Sequence, residues 1–176
     1  AKQGWRLMQD QNSLLFQCLK ARYFPRSHFL EANDSPNSSY TWKSIMAAKH
    51  ILQRGTYWRV GNGRHIRILN EAWIPNHYTN RVLHPTSNIE DGMMVEDLMD
   101  PETRGWDREV IRQKFHCEDA EAIMRIPLSY RDIADTVVWN GEKSGVYTVR
   151  SGYREAQKAG KESNWAECSK GVVGGE

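Results

Sequence analysis

The chain has 176 residues, 39% of them hydrophobic, with a mean hydropathy of -0.72 and a formal net charge of +2. That length admits one domain or two small ones, and seven tryptophans argue against wholesale disorder, because disordered segments are poor in aromatics. No run of about 18 apolar residues occurs, so no membrane partner is expected. Cys18, Cys117 and Cys168 are far apart and odd in number, with no Cys-x-x-Cys spacing, which argues against a disulfide framework or a zinc ribbon. Reduced thiols and the lack of a visible signal peptide lead to the expectation of an intracellular protein, nuclear or cytoplasmic and not secreted. The first residue is Ala1 rather than Met, which suggests a fragment or a processed product.

Charge is unevenly placed. Residues 1–85 hold 12 Lys/Arg against 4 Asp/Glu, a net of +8, whereas residues 86–176 hold 12 against 18, a net of -6. A basic first half suits a polyanion, or else an acidic half of the same chain.

In chain order, Lys2 to Gln9 predicts a short helix with Trp5 and Met8 on one side. Asn12 or Ser13 is placed to cap a second helix ending at Tyr23, where Leu15, Cys18, Leu19 and Tyr23 form the apolar stripe. Pro25 ends it, and residues 33–39 have turn chemistry. Ser39 caps a third helix, Tyr40 to Arg54, with Trp42, Ile45, Met46 and Leu52 inward and Gly55 as its stop.

Next comes GTYWRVGNGRHIRILNEAWIP, residues 55–75. Asn-Gly between two β-forming runs predicts a hairpin, with Tyr57 to Val60 as one strand and His65 to Leu69 as the other. Alternation puts Ile66 and Ile68 on one face and His65 and Arg67 on the opposite one. If the third helix packs on this hairpin, Lys43, Lys49, Arg54, Arg59, Arg64 and Arg67 share a surface with Trp58 and His65. Cations beside aromatics suit phosphates and bases. The alternative is a solvated strand face over core tryptophans.

Residues 76–92 lack periodicity and form the expected linker between a basic region, 1–75, and an acidic one, 93–160. Met94 to Met99 reads as a short strand or turn. Asp107 caps a helix from Arg108 to about His116, with Val110, Ile111 and Phe115 inward, and Glu118 to Met124 forms another. Thr136 to Trp139 and Val146 to Val149 predict a second hairpin. Ser151 caps a last helix, Gly152 to Ala159, and residues 161–176 form a tail expected to be disordered.

Candidate chemistry is sparse. The acidic groups Glu90-Asp91, Glu96-Asp97-Asp100 and Glu118-Asp119-Glu121 fall at helix starts and in loops, where capping accounts for them, so neither a metal nor another cofactor is expected. Adjacent His116 and Cys117 on a helix would not face each other. Cys18 reads as core. Gly61-Asn62-Gly63-Arg64 precedes a strand and not a helix, so it is a turn and not a phosphate loop.

Several segments carry a resemblance when taken in order: AKQGWRL (1–7), SLLFQCLKARYFP (13–25), SYTWKSI (39–45), GTYWRVGNGRHIRI (55–68) with WIP (73–75), VEDLMD (95–100), IPLS (126–129), DTVVWN (135–140) and GVYTVRSGYR (145–154). Over roughly residues 1–157 the chain resembles plant LINE-type (non-LTR) retrotransposon polyproteins. The matching region lies downstream of the reverse-transcriptase palm and ahead of the zinc-binding segment and any ribonuclease H domain. The resemblance implies RNA-directed DNA polymerase machinery, with the neighbouring reverse-transcriptase and zinc-binding domains as partners. The chain departs from it in having no Asp-Asp dipeptide and no Cys/His array, and its tail NWAECSKGVVGGE does not match. No catalytic residue is therefore carried over.

Together these readings predict an α+β chain: N-terminal helices, two small antiparallel hairpins, short helices and a disordered tail. The expected function is a non-catalytic connector that touches RNA or DNA backbone through the basic hairpin. The alternative is an interaction module that packs on neighbouring domains without touching nucleic acid. No enzyme activity is expected of this chain alone.

Overall fold

The computed structural model describes residues 1–75, 77, 79–86 and 88–170, with side chains to residue 160. The chain is α+β, as expected, and divides into two compact units, one made of residues 1–56 with the chain from Trp139 onward, the other running from Tyr57 to Val138. The expected boundary at residues 76–92 instead falls inside the second unit. Trp73 and Ile74, just before it, share one buried cluster with Val95, Leu98 and Ile111, beyond it.

The first unit is helical. Helix α1 (Lys2–Gln9) buries Trp5 and Leu7. Helix α2 (Leu14–Tyr23) starts at Ser13, whose hydroxyl accepts from the Phe16 N–H, as the capping rule requires. Its buried side differs from the expected stripe. Phe16 and Leu19 are inside, while Leu15 and Cys18 are exposed. Phe16 meets Phe24 edge to face at 5.8 Å, and a larger aromatic surface outcompetes leucine and cysteine for burial.

The expected third helix breaks in two at Ala48, giving α3 (Tyr40–Ala47) and α4 (Lys49–Gly55). Ser39 caps α3 by accepting from Trp42, and its own N–H donates to the Tyr23 hydroxyl. Tyr23 stacks on Trp42 at 4.5 Å, Phe24 lies 5.7 Å from it, and Phe29 meets it edge-on. This aromatic group, with Ile45 and Leu52, is the centre of the unit.

Another tryptophan of the unit, Trp139, is 1% exposed and donates from Nε1 to Ser151 Oγ at 2.9 Å. Helix α7 (Val149–Lys170) begins earlier than expected. Thr148 caps it instead of Ser151, accepting from the Ser151 N–H at 3.1 Å. It continues through Gly160, so the boundary expected at Ala159 is corrected. Of the tail expected to be disordered, residues 171–176 lie outside the described residues, as does the side chain of Cys168.

In the second unit, strand β1 (Thr56–Arg59) pairs with β2 (Thr136–Trp139) in one two-stranded antiparallel sheet. Neither expected hairpin forms. One strand from each joins the other instead, and the chain crosses between units inside both strands. Residues 65–69 keep the expected alternation, with Ile66 and Ile68 fully buried and His65 and Arg67 exposed. They meet the 93–95 segment, where the Val95 N–H donates to the Ile66 carbonyl and the Ile68 N–H to Met93. A 3-10 turn (Val95–Leu98) follows. Then come α5 (Arg108–Lys114), capped as expected by Asp107, and α6 (Cys117–Met124). The Val146 to Val149 run forms no strand and leads into α7.

Gly55 shows how closely the first unit is packed, since a Cβ there would lie 2.3 Å from the Trp139 ring. Gly55→Ala is expected to lower stability by about 1–3 kcal/mol through overpacking, read as an earlier urea midpoint. An unchanged midpoint would show that the ring can move aside.

Candidate functional site

The basic turn after β1 is built around an anion supplied by the chain itself. The Asp135 carboxylate is fully buried. It accepts from the Gly61 N–H at 2.8 Å, the Gly63 N–H at 2.9 Å and the His65 N–H at 3.0 Å. Successive backbone N–H groups around a carboxylate form a nest. Two of these donors lie in the expected turn and the third, His65, opens the expected second strand, so the turn curls around Asp135 and residues 65–69 do not pair with β1. Gly63 has φ 74, and a Cβ there would lie 2.5 Å from the Glu96 nitrogen, so the curled backbone requires glycine.

Asp132 closes the same turn from outside. It accepts from the Asn62 side chain at 2.9 Å and lies 3.7 Å from Arg64 and 3.8 Å from Arg104. The Asn62 hydrogen bond first, then Arg64 and Arg104, hold its carboxyl below the usual carboxylate value. Arg64 also reaches Glu96 at 3.3 Å.

The eight predicted residues therefore divide. Lys43, Lys49 and Arg54 belong to the first unit, and the other five to the second. Lys43 Nζ donates to the Pro36 carbonyl at 3.3 Å and Lys49 Nζ to Ala32 at 2.6 Å, so both tie down the 32–36 loop. Burial pushes the Lys49 ammonium pKa down. Arg54 also has an interaction within the protein.

In the second unit, Arg64 and His65 face Asp132, Glu96 and Asp135, His65 Nδ1 lying 3.8 Å from Asp135. Arg67 is exposed, and its backbone N–H donates to Glu71 at 2.8 Å. Trp58 and Arg59 make none of these ion pairs. They line a groove of about 430 Å³ with Trp73, Ile126, Leu128 and Ile133. Among the described residues no acidic side chain lines it; Arg59 is exposed, and Trp58 is half-buried.

The chain is 35% identical over 74 residues to an uncharacterized mitochondrial protein of Arabidopsis thaliana, a stretch covering 42% of this chain and 48% of that protein. It is 29% identical over 169 residues to an Arabidopsis thaliana protein named "Putative ribonuclease H protein", covering 87% of this chain and 25% of that one. The chain thus spans about half the length of the first relative and a quarter of the second. No family model matches it, and neither does any solved structure.

A second buried carboxylate went unforeseen. Asp119 is fully buried and accepts from the His84 N–H at 2.8 Å and the Leu83 N–H at 3.2 Å, while His77 Nε2 lies 3.0 Å away. The sequence placed it in an acidic run at a helix start. Its burial shows only where the 77–84 loop crosses α6. Asp135 was equally hidden, because every non-proline residue carries a backbone N–H and nothing local marks those of Gly61, Gly63 and His65 as needing a distant acceptor. Among the described residues, no three His, Cys, Asp or Glu side chains converge to hold a metal ion.

Two measurements probe the turn. Asp135→Asn keeps the shape but sets an amide N–H against one of the three donors. It is expected to cost about 1.5–3 kcal/mol in urea unfolding. Asp132 is held below its ordinary 3.8 in the folded state, so the unfolded chain binds the proton more readily. Its stabilisation is complete above 3.8 and fades as pH falls through the lower folded value. Asp132→Asn is expected to flatten that part of the stability profile between about pH 5 and 3. Parallel profiles for both proteins would contradict it.

Proposed function

We propose that this chain is a non-catalytic connector of a non-LTR retrotransposon RNA-directed DNA polymerase, and that it contacts RNA or DNA backbone through its second unit. The observation that carries the reading is the similarity running along 87% of the chain but only a quarter of a much longer protein named for ribonuclease H. A connector between catalytic domains would be related in this way. The fate of the carboxylates supports the non-catalytic part. Asp107, Asp119 and Asp135 each accept backbone N–H bonds, which favours anchoring over metal-assisted chemistry.

The electrostatics favour Arg59 and Arg67 over Arg64 as phosphate contacts. Arg64 already has two acidic neighbours, and a phosphate would have to displace them. The interaction-module reading loses two of its tryptophans as contact residues, because Trp73 and Trp139 are buried.

Titration of labelled RNA and DNA with this chain at two salt concentrations tests the contact. The Arg59→Ala, Arg67→Ala double variant is expected to weaken binding similarly across sequences. Its salt slope should fall by about one to two phosphate equivalents, each near 0.7–0.9 log units. Arg64→Ala is expected to change little. Absence of binding at low salt removes the nucleic-acid role, and measurable DNA synthesis by this chain removes the non-catalytic one.

A further inference from the structure

The groove beside β1 differs from the basic turn in every respect that matters for a ligand. Its walls are mostly aromatic and aliphatic, its one charged lining residue among the described residues is Arg59, and its volume of about 430 Å³ lies in the range of sites that enclose small ligands. On one side the chain makes a tight turn, with the Arg131 N–H donating to Ser129 Oγ at 3.1 Å and the Ile133 N–H to the Arg131 carbonyl at 2.9 Å. Ser129 and Ile133 line the groove. Between them, Tyr130 is 91% exposed and Arg131 is also exposed. No core contact accounts for so exposed an aromatic next to an arginine.

We propose that this groove binds unstacked bases of single-stranded nucleic acid, with Trp58 and Tyr130 as stacking surfaces and Arg59 and Arg131 as phosphate contacts. The inference rests on the nucleic-acid reading above and narrows it to the substrate and the place. Two observations choose this occupant. The charged side chain that lines the groove, Arg59, is cationic, and Arg131 stands beside it, while the neighbouring Asp132 is already engaged by Arg64 and Arg104 and Asp135 is buried on backbone N–H groups, which leaves positive charge to complement a phosphodiester. The Trp58 N–H already donates to the Ala72 carbonyl at 2.7 Å, so this edge of β1 is not free to accept a peptide as an added strand. A duplex keeps its bases stacked inside and would present only phosphates, whereas a single strand can supply both ring faces and charge.

The test uses the whole chain and three fluorescently labelled ligands: a single-stranded DNA, the duplex of the same sequence, and a strand of abasic units with the same number of phosphates. The single strand is expected to bind at least tenfold more tightly than the other two. Tyr130→Ala and Arg59→Ala alter exposed side chains and should leave the fold intact by circular dichroism. Each is expected to weaken single-strand binding by about tenfold, within the range of a lost base stack, while Arg64→Ala changes it less than twofold. Equal affinity for the intact and abasic strands would overturn the groove as a base site while leaving backbone contact standing. No binding to any of the three would overturn both.

Discussion

Everything irregular in the second unit depends on carboxylates that take the place of a sheet. A backbone N–H shielded from water and left without a partner is costly, and the turn after β1 directs three N–H groups within five residues at one buried carboxylate. Asp135 accepts all three. Burial of a lone carboxylate would be more costly still, and the converging donors are what make it tolerable. Asp119 repeats the arrangement where the 77–84 loop meets α6. Two short strands and two short helices can therefore enclose Ile66, Ile68, Trp73 and Leu98, although few ladder hydrogen bonds are present.

This arrangement changes the meaning of the charge imbalance. Along the sequence, the basic half and the acidic half look like separate poles. Within the second unit they interleave. Asp132 lies between Arg64 and Arg104, and Glu96 faces Arg64. These exposed pairs add little stability individually. They also engage Arg64, a cation that the sequence placed in the basic turn. At the groove, the half-buried Trp58 adjoins Arg59, which makes no ion pair among the described residues.

The first unit is held by different means. Trp42 is enclosed by Tyr23, Phe24 and Phe29, and Trp139 by Trp5 and Tyr147. Its lysines act locally: Lys43 and Lys49 fasten a loop through backbone carbonyls. A lysine that looks like part of a cationic face in sequence thus has a structural use that requires no ligand.

The sequence by itself determined what is local. Capping at Ser13, Ser39 and Asp107, the extents of α1, α2 and α6 to within a residue, and the inward set of Ile66 and Ile68 all follow from hydrogen bonds and side-chain periods spanning a few positions. Tertiary structure alone decided which strand pairs with which, why Phe16 displaces Leu15, and which arginines keep their charge available. The reason is distance along the chain: Gly61 meets Asp135 from 74 residues away. A carboxylate that far off leaves no mark on the pattern around Asn62, yet it gathers the N–H groups of the turn and of His65 and so reshapes the segment.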